Sequence, residues 1–252
     1  MKNHYYLLIK NNIKYIFTIK MILCIIIIFI INLIMKTNNN IDYESVYEYI
    51  SITFYGPINM FDNLNELLSW SFYEICFLAF IIRFLNKEFS NRSIYLISRL
   101  GNKIRWYNYL QLTILVLTII YFMIGFLTSS LFTIIINENI INIDIFNILK
   151  LLLLIIMYNY FIILLYIIIF LFIENRNLGI IALIMLIYLS IELGNSFHID
   201  KFLLLNQGII SKHIISDFSF LWSYIYLGVF IGYLFIFIKN IVIKRDLISI
   251  ID

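Results

Sequence analysis

The chain has 252 residues, of which 63% are hydrophobic and only 13% charged, with a formal net charge of +3 and a mean hydropathy of +0.96. A soluble domain carries roughly a quarter charged residues, so that class is excluded. The apolar residues instead fall in blocks of the roughly 20 that a membrane-crossing helix needs, without the period-2 alternation of a membrane barrel. The expectation is an all-α polytopic membrane protein with six transmembrane helices in a single domain, 1–252.

The first element, 1–17, is amphipathic. Tyr6, Ile9, Ile13 and Phe17 recur at helical spacing, with Lys10 and Lys14 on the other side. That pattern predicts a helix lying in the inner membrane interface, its lysines near anionic lipid. The first apolar block, about 18–35, runs into NLIMKTNNN with no small-residue cleavage site, so it reads as a retained span rather than a removed signal peptide. The segment 36–66 is acidic and holds the only proline, in the turn signal Gly56-Pro57. Its tyrosines and Phe54 suggest that it lies on the membrane surface.

Five further spans are expected, at about 67–85, 109–136, 145–173, 178–194 and 220–238. The blocks 109–136 and 145–173 exceed what a bilayer requires, which calls for tilt or extension beyond the lipid. A four-residue polar break from Glu174 to Asn177 separates the fourth span from the fifth. Cys24 and Cys76 lie inside apolar blocks, outside any C-x-x-C or Cys/His pattern, and read as buried thiols. In the segment 195–219, apolar runs alternate with polar breaks at Asn206-Gln207 and Ser211-Lys212-His213. Two short amphipathic helices dipping into the outer leaflet, as a re-entrant pair packed on neighbouring spans, would suit it. A plain surface loop would also suit it.

Basic residues set the orientation. With both termini in the cytoplasm, 14 of the 18 Lys and Arg lie inside and nine of the 15 Asp and Glu outside, as the positive-inside rule requires.

The segment 86–108 concentrates this charge: Lys87, Arg92, Arg99, Lys103 and Arg105 against Glu88. Wrapped at about 100° per residue, Glu88, Arg92, Arg99 and Lys103 share one side, with Ile94, Ile97 and Ile104 nearly opposite. Gly101-Asn102 predicts a break, with Asn102 placed to cap the next helix. The positive-inside rule explains the charge. It does not explain an isoleucine row outside the lipid, which must rest on the inner leaflet or in a cleft of a partner.

The run Glu88-Phe89-x-x-Arg92-Ser93-Ile94-Tyr95-Leu96-Ile97-Ser98-Arg99, with Lys103 after the turn, resembles the segment after the second span in permeases of the ABC type-2 transporter family. Arg92-Ser93 stands where that family usually has Gly-Thr, and Tyr109-Leu110 where it has Gly-Lys. Length, span count, amphipathic N-terminus and outer re-entrant pair are also similar. The resemblance implies the membrane half of an exporter in a bacterial cytoplasmic membrane, moving a small peptide, drug or amphiphile outward. It implies separate ABC ATPase subunits and a second permease subunit, identical or related, as partners besides the bilayer. It makes 86–108 the cytoplasmic coupling helix, with Glu88, Arg92, Ile94, Ile97, Arg99, Lys103 and Ile104 as ATPase-coupling residues. No G-x-x-x-x-G-K-[ST] occurs, so no cofactor is expected in this chain and ATP-Mg belongs to the partner. No nucleic-acid partner is expected.

Two polar residues fall inside spans, Glu74 and Asn159. Such groups are costly and usually face the bundle interior. Glu74 with Asn159 could line a translocation path for cationic cargo, or Glu74 could be bonded to Asn159 or Tyr158 as interhelical glue. An intramembrane enzyme is disfavoured: there is no H-E-x-x-H, and His4, His198 and His213 are scattered outside the spans. A membrane sensor or immunity protein without transport predicts the same topology but no tightly bound ATPase.

Overall fold

In a computed structural model the chain is all-helical. The structure describes residues 2–37, 45–59, 64–89, 92–136, 144–173 and 175–244. The helices are α1 (Lys2–Ile16), α2 (Ile19–Thr37), α3 (Val46–Thr53), α4 (Leu64–Phe89), α5 (Arg92–Leu100), α6 (Lys103–Ile136), α7 (Ile145–Ile173), α8 (Arg176–Phe197), α9 (Ile210–Ile215) and α10 (Phe220–Lys244). Among the described residues six helices, α2, α4, α6, α7, α8 and α10, are long and apolar enough to cross a membrane. This is the architecture of a multi-pass membrane protein.

The α7 helix holds the centre, packed by α6, α8 and α10, while α2 lies against α4 and α6. Tyrosine hydroxyls tie the bundle at several levels, because the ring is apolar enough for the interior and its O–H needs a partner there. Tyr121 donates to the Tyr73 carbonyl (3.2 Å), Tyr107 to Phe235 (2.9 Å), Tyr224 to Lys150 (2.7 Å), and Tyr160 to Gln111 Oε1 (2.9 Å). By contrast α10 leaves Leu221, Ile225, Val229 and Tyr233 exposed along one face. That is an apolar stripe suited to lipid.

The α4 and α6 helices outrun their apolar blocks into the basic segment. The α4 helix continues to Phe89, and α6 begins at Lys103 rather than near 109. The added turns are held by packing: Phe89 meets Trp106 edge-on (ring centroids 5.5 Å apart), and Glu88, Trp106 and Tyr107 are buried. Tertiary contacts of this kind, more than propensity, decide how far a helix extends.

Within the segment 36–66, the described residues 45–59 pack into the bundle rather than lying only on its surface. The α3 helix starts at an N-cap, Ser45 accepting from the Glu48 amide at 3.3 Å. It drives Val46, Ile50 and Phe54 into the core. Phe54 packs on Phe29, Tyr73, Phe122 and Phe126, its ring stacking on Phe126 at 4.5 Å. The aromatic side chain therefore fills a notch between α2, α4 and α6 instead of floating at the headgroups. Lys36, at the end of α2, bends to α3 and donates to the carbonyls of Ile52, Thr53 and Tyr55. Those carbonyls lie at a helix C-terminus, where side-chain donors are favoured, and Thr53 accepts from Asn32 as well.

The segment after α8 also departs from the expected helix pair. It comprises two 3-10 turns, Asp200–Phe202 and Leu204–Asn206, and the single short helix α9. His198 closes α8 in the left-handed conformation at φ 55°. What holds the segment is a buried polar knot. Lys212 and Asp200 form an ion pair at 3.2 Å, and Asp200 also accepts from Asn206 (2.6 Å) and Ser216 (2.9 Å). Gln207 donates to three carbonyls, at Asp200, Lys201 and Leu203, and accepts from Ser223 of α10. Irregular backbone has unpaired groups, and these side chains satisfy them. Two close approaches around this knot require glycine: a Cβ on Gly194 would overlap Asp200 and Asn206, and one on Gly208 would overlap the Tyr158 ring.

Candidate functional site

The basic segment is three helices rather than one wheel. Glu88 belongs to the last turn of α4, Arg92, Ile97 and Arg99 to α5, and Lys103 and Ile104 to α6. The break is where the sequence places it: Gly101 has φ 87° and its amide donates to the Ile97 carbonyl at 2.9 Å, closing α5 in a left-handed turn. Asn102 caps α6, its Oδ1 accepting from the Arg105 amide at 2.8 Å. Arg105 in turn donates to the Leu100 carbonyl at 3.3 Å.

A stripe drawn on one continuous helix therefore does not survive. Glu88 is buried and pairs with Arg92 at 2.9 Å. Arg92 turns inward and donates to Asn12 Oδ1 at 2.8 Å, while Asn12 donates to the Tyr109 hydroxyl. This chain of contacts fastens α1 to α5 and α6. Leu96 and Leu100 are buried and Ile97 is half-buried against the core; the Ile94 side chain lies outside the described residues. Facing outward are Tyr95 (74% exposed), Arg99 and Ile104 (38% exposed), with Lys103 half-buried beside them. So the segment presents a mixed aromatic, aliphatic and cationic face, and it spends Glu88 and Arg92 internally.

Glu74 and Asn159 are brought together. Asn159 Nδ2 donates to Glu74 Oε1 at 3.2 Å and to the Ile155 carbonyl at 3.1 Å, which links α4 to α7. Among the described residues Glu74 Oε2, Asn159 Oδ1 and the neighbouring Tyr158 hydroxyl have no hydrogen-bond partner. A cleft of about 20 Å³ opens beside them, between Trp70, Glu74 and Leu78 of α4 and Ile184 and Tyr188 of α8. That volume suits one water rather than a cargo molecule. In this conformation the pair joins two helices.

Sequence reasoning missed Asn12 and Tyr109, which complete the Arg92 contacts, and the Asp200–Lys212 pair. Asn12 could have been found: it lies on the same side of α1 as Leu8 and Ile9, where a polar residue needs a partner. Among the described residues no group of three or more His, Cys, Asp or Glu could hold a metal ion. No family model, curated protein or solved structure matches the chain.

Proposed function

We propose that this chain is the membrane-spanning permease subunit of an ATP-driven exporter, oriented with its basic end in the cytoplasm, moving a small peptide, drug or amphiphile with the help of separate ABC ATPase subunits and a second permease subunit. The observation that carries the reading is α5. It is a nine-residue helix between two spans, anchored on one side by Leu96 and Leu100 and presenting Tyr95 and Arg99 on the other. An apolar and cationic knob of this size fits a groove with an acidic rim. Its buried side packs on α4 and α6. A displacement of α5 is therefore passed to both spans as a rigid-body movement. Glu74 and Asn159, joined between α4 and α7, lie where such movement would separate them and expose the carboxyl group to a path.

The test is co-purification. The wild type, taken from its native membrane in mild detergent, is expected to carry an ATP-binding cassette protein. The double charge reversal Arg99→Glu with Lys103→Glu should lose that protein while remaining membrane-inserted and monodisperse. Unchanged co-purification would sink the coupling assignment. Absence of any ATPase from the wild type would favour a sensor or immunity protein.

A further inference from the structure

A second cleft lies away from Glu74. It has a volume of about 400 Å³ and opens between α1, the start of α2 and the last turns of α4. Arg83 and Lys87 of α4 and Arg92 of α5 line it, together with Phe80, Phe84 and Met21. Arg92 is committed to Glu88 and Asn12. Arg83 is exposed, and the Lys87 ammonium stands 3.4 Å from the centroid of the Tyr15 ring.

Two features point to a ligand. Arg83 and Lys87 are one turn apart on the same helix, a spacing at which like charges repel. An anion seated between them removes that repulsion and gains charge-assisted hydrogen bonds. The other half of the lining is apolar and belongs to membrane-spanning helices, which places the cations at the depth of a headgroup rather than in open solvent. A soluble anion has no use for Phe80, Phe84 and Met21, whereas the glycerol and first methylenes of a lipid do. Basic pockets between spans are where phospholipid headgroups are recognised, and the volume falls within the usual range for a small-molecule site.

We propose that this cleft binds the phosphate of an anionic phospholipid, with Arg83 and Lys87 as its ligands and Phe80, Phe84 and Met21 against the glycerol end. The site is independent of any ATPase and of the exporter reading.

Native mass spectrometry of the delipidated full-length protein tests it, with phosphatidylglycerol and phosphatidylcholine added back in separate titrations. The wild type should retain one phosphatidylglycerol about tenfold more tightly than phosphatidylcholine, and Arg83→Gln with Lys87→Gln should erase that preference. Arg83→Lys keeps the charge and should keep most of the preference, which separates loss of the site from loss of the fold. Equal retention of the two lipids by the wild type overturns the proposal, as does an unchanged preference in the double variant. Inorganic phosphate is the competing arm. If it binds the wild type at millimolar concentration, is lost in the double variant, and lipid shows no preference, the site belongs to a soluble anion and the lipid assignment fails.

Discussion

Lys212→Met isolates the ion pair at the heart of the knot after α8. Both partners are almost fully buried, Lys212 at 1% and Asp200 at 3% exposure. Removing one member of such a pair strands the other charge, at a cost of about 3–5 kcal/mol. Here the stranded carboxylate keeps two donors, Asn206 at 2.6 Å and Ser216 at 2.9 Å. Hydrogen bonds to a charged group contribute about 1.5–3 kcal/mol each, so the cost should sit near the lower end, about 3 kcal/mol. For a domain of this size that corresponds to a Tm drop on the order of 10 °C. Asp200→Asn together with Lys212→Met removes the stranded charge and should recover more than half of the loss. Trp222 supplies the signal, because its indole donates to the Lys201 carbonyl at 3.0 Å and so reports on the knot. Thermal unfolding of the detergent-solubilised protein, followed by tryptophan fluorescence, gives the four Tm values of the cycle. A Lys212→Met protein within about 2 °C of wild type, or a double variant as unstable as the sum of the singles, would refute the reasoning.

Phe54→Ala should cost about 3–5 kcal/mol, since it empties the notch between Phe29, Tyr73, Phe122 and Phe126; a surface-lying loop would show no loss in the same melt. Gly208→Ala should cost about 1–3 kcal/mol, because the new methyl group must displace Tyr158 at both its ring and its Cβ, and Tyr158→Ala in the same chain should relieve only the ring's share of that clash. Stability should also fall in mild acid. Burial holds the His213 pKa below its ordinary value, against the opposing pull of the Gln207 and Phe218 carbonyls. The unfolded chain therefore takes up a proton near pH ~6.5 that the folded chain refuses. Stability should be flat in His213 above about pH 7.5 and decline as pH drops through ~6.5. His213→Gln should flatten that limb, and an unchanged pH profile in the variant would remove His213 as its cause.

The six spans were legible because a 20-residue apolar block has few alternatives in a membrane protein. The break at Gly101-Asn102 was equally legible, since a positive φ and a side-chain cap are local chemistry. Other features depended on distant partners. Phe54 sits outside the apolar blocks, and only the notch formed by Phe29, Tyr73 and Phe126 turns an apparent interfacial aromatic into a core residue. Glu88 and Arg99 fall together on a helical wheel, yet the wheel does not extend from α4 into α5, so one is buried and the other exposed. The run 202–205 is apolar enough for a helix, but Gln207 takes the Leu203 carbonyl and Tyr226 the Phe202 carbonyl, and the run stays in 3-10 turns. Glu74 and Asn159 were visible as intramembrane polar residues, and their pairing was one of two readings left open by spacing alone.

The knot after α8 also divides the far end of the bundle mechanically. Through Ser190 and Gly194 it grips α8, and through Ser223, Trp222 and Tyr226 it grips α10, so these pieces travel as one block. Its connection to the stretch after α3 is slight by comparison: Ser211 donates to the Pro57 carbonyl at 3.2 Å, and Ile209 rests against Gly56. These contacts join the two pieces on that face. A load that pulled on the far end would move α8 and α10 together and fall on the contact between Pro57 and Ser211.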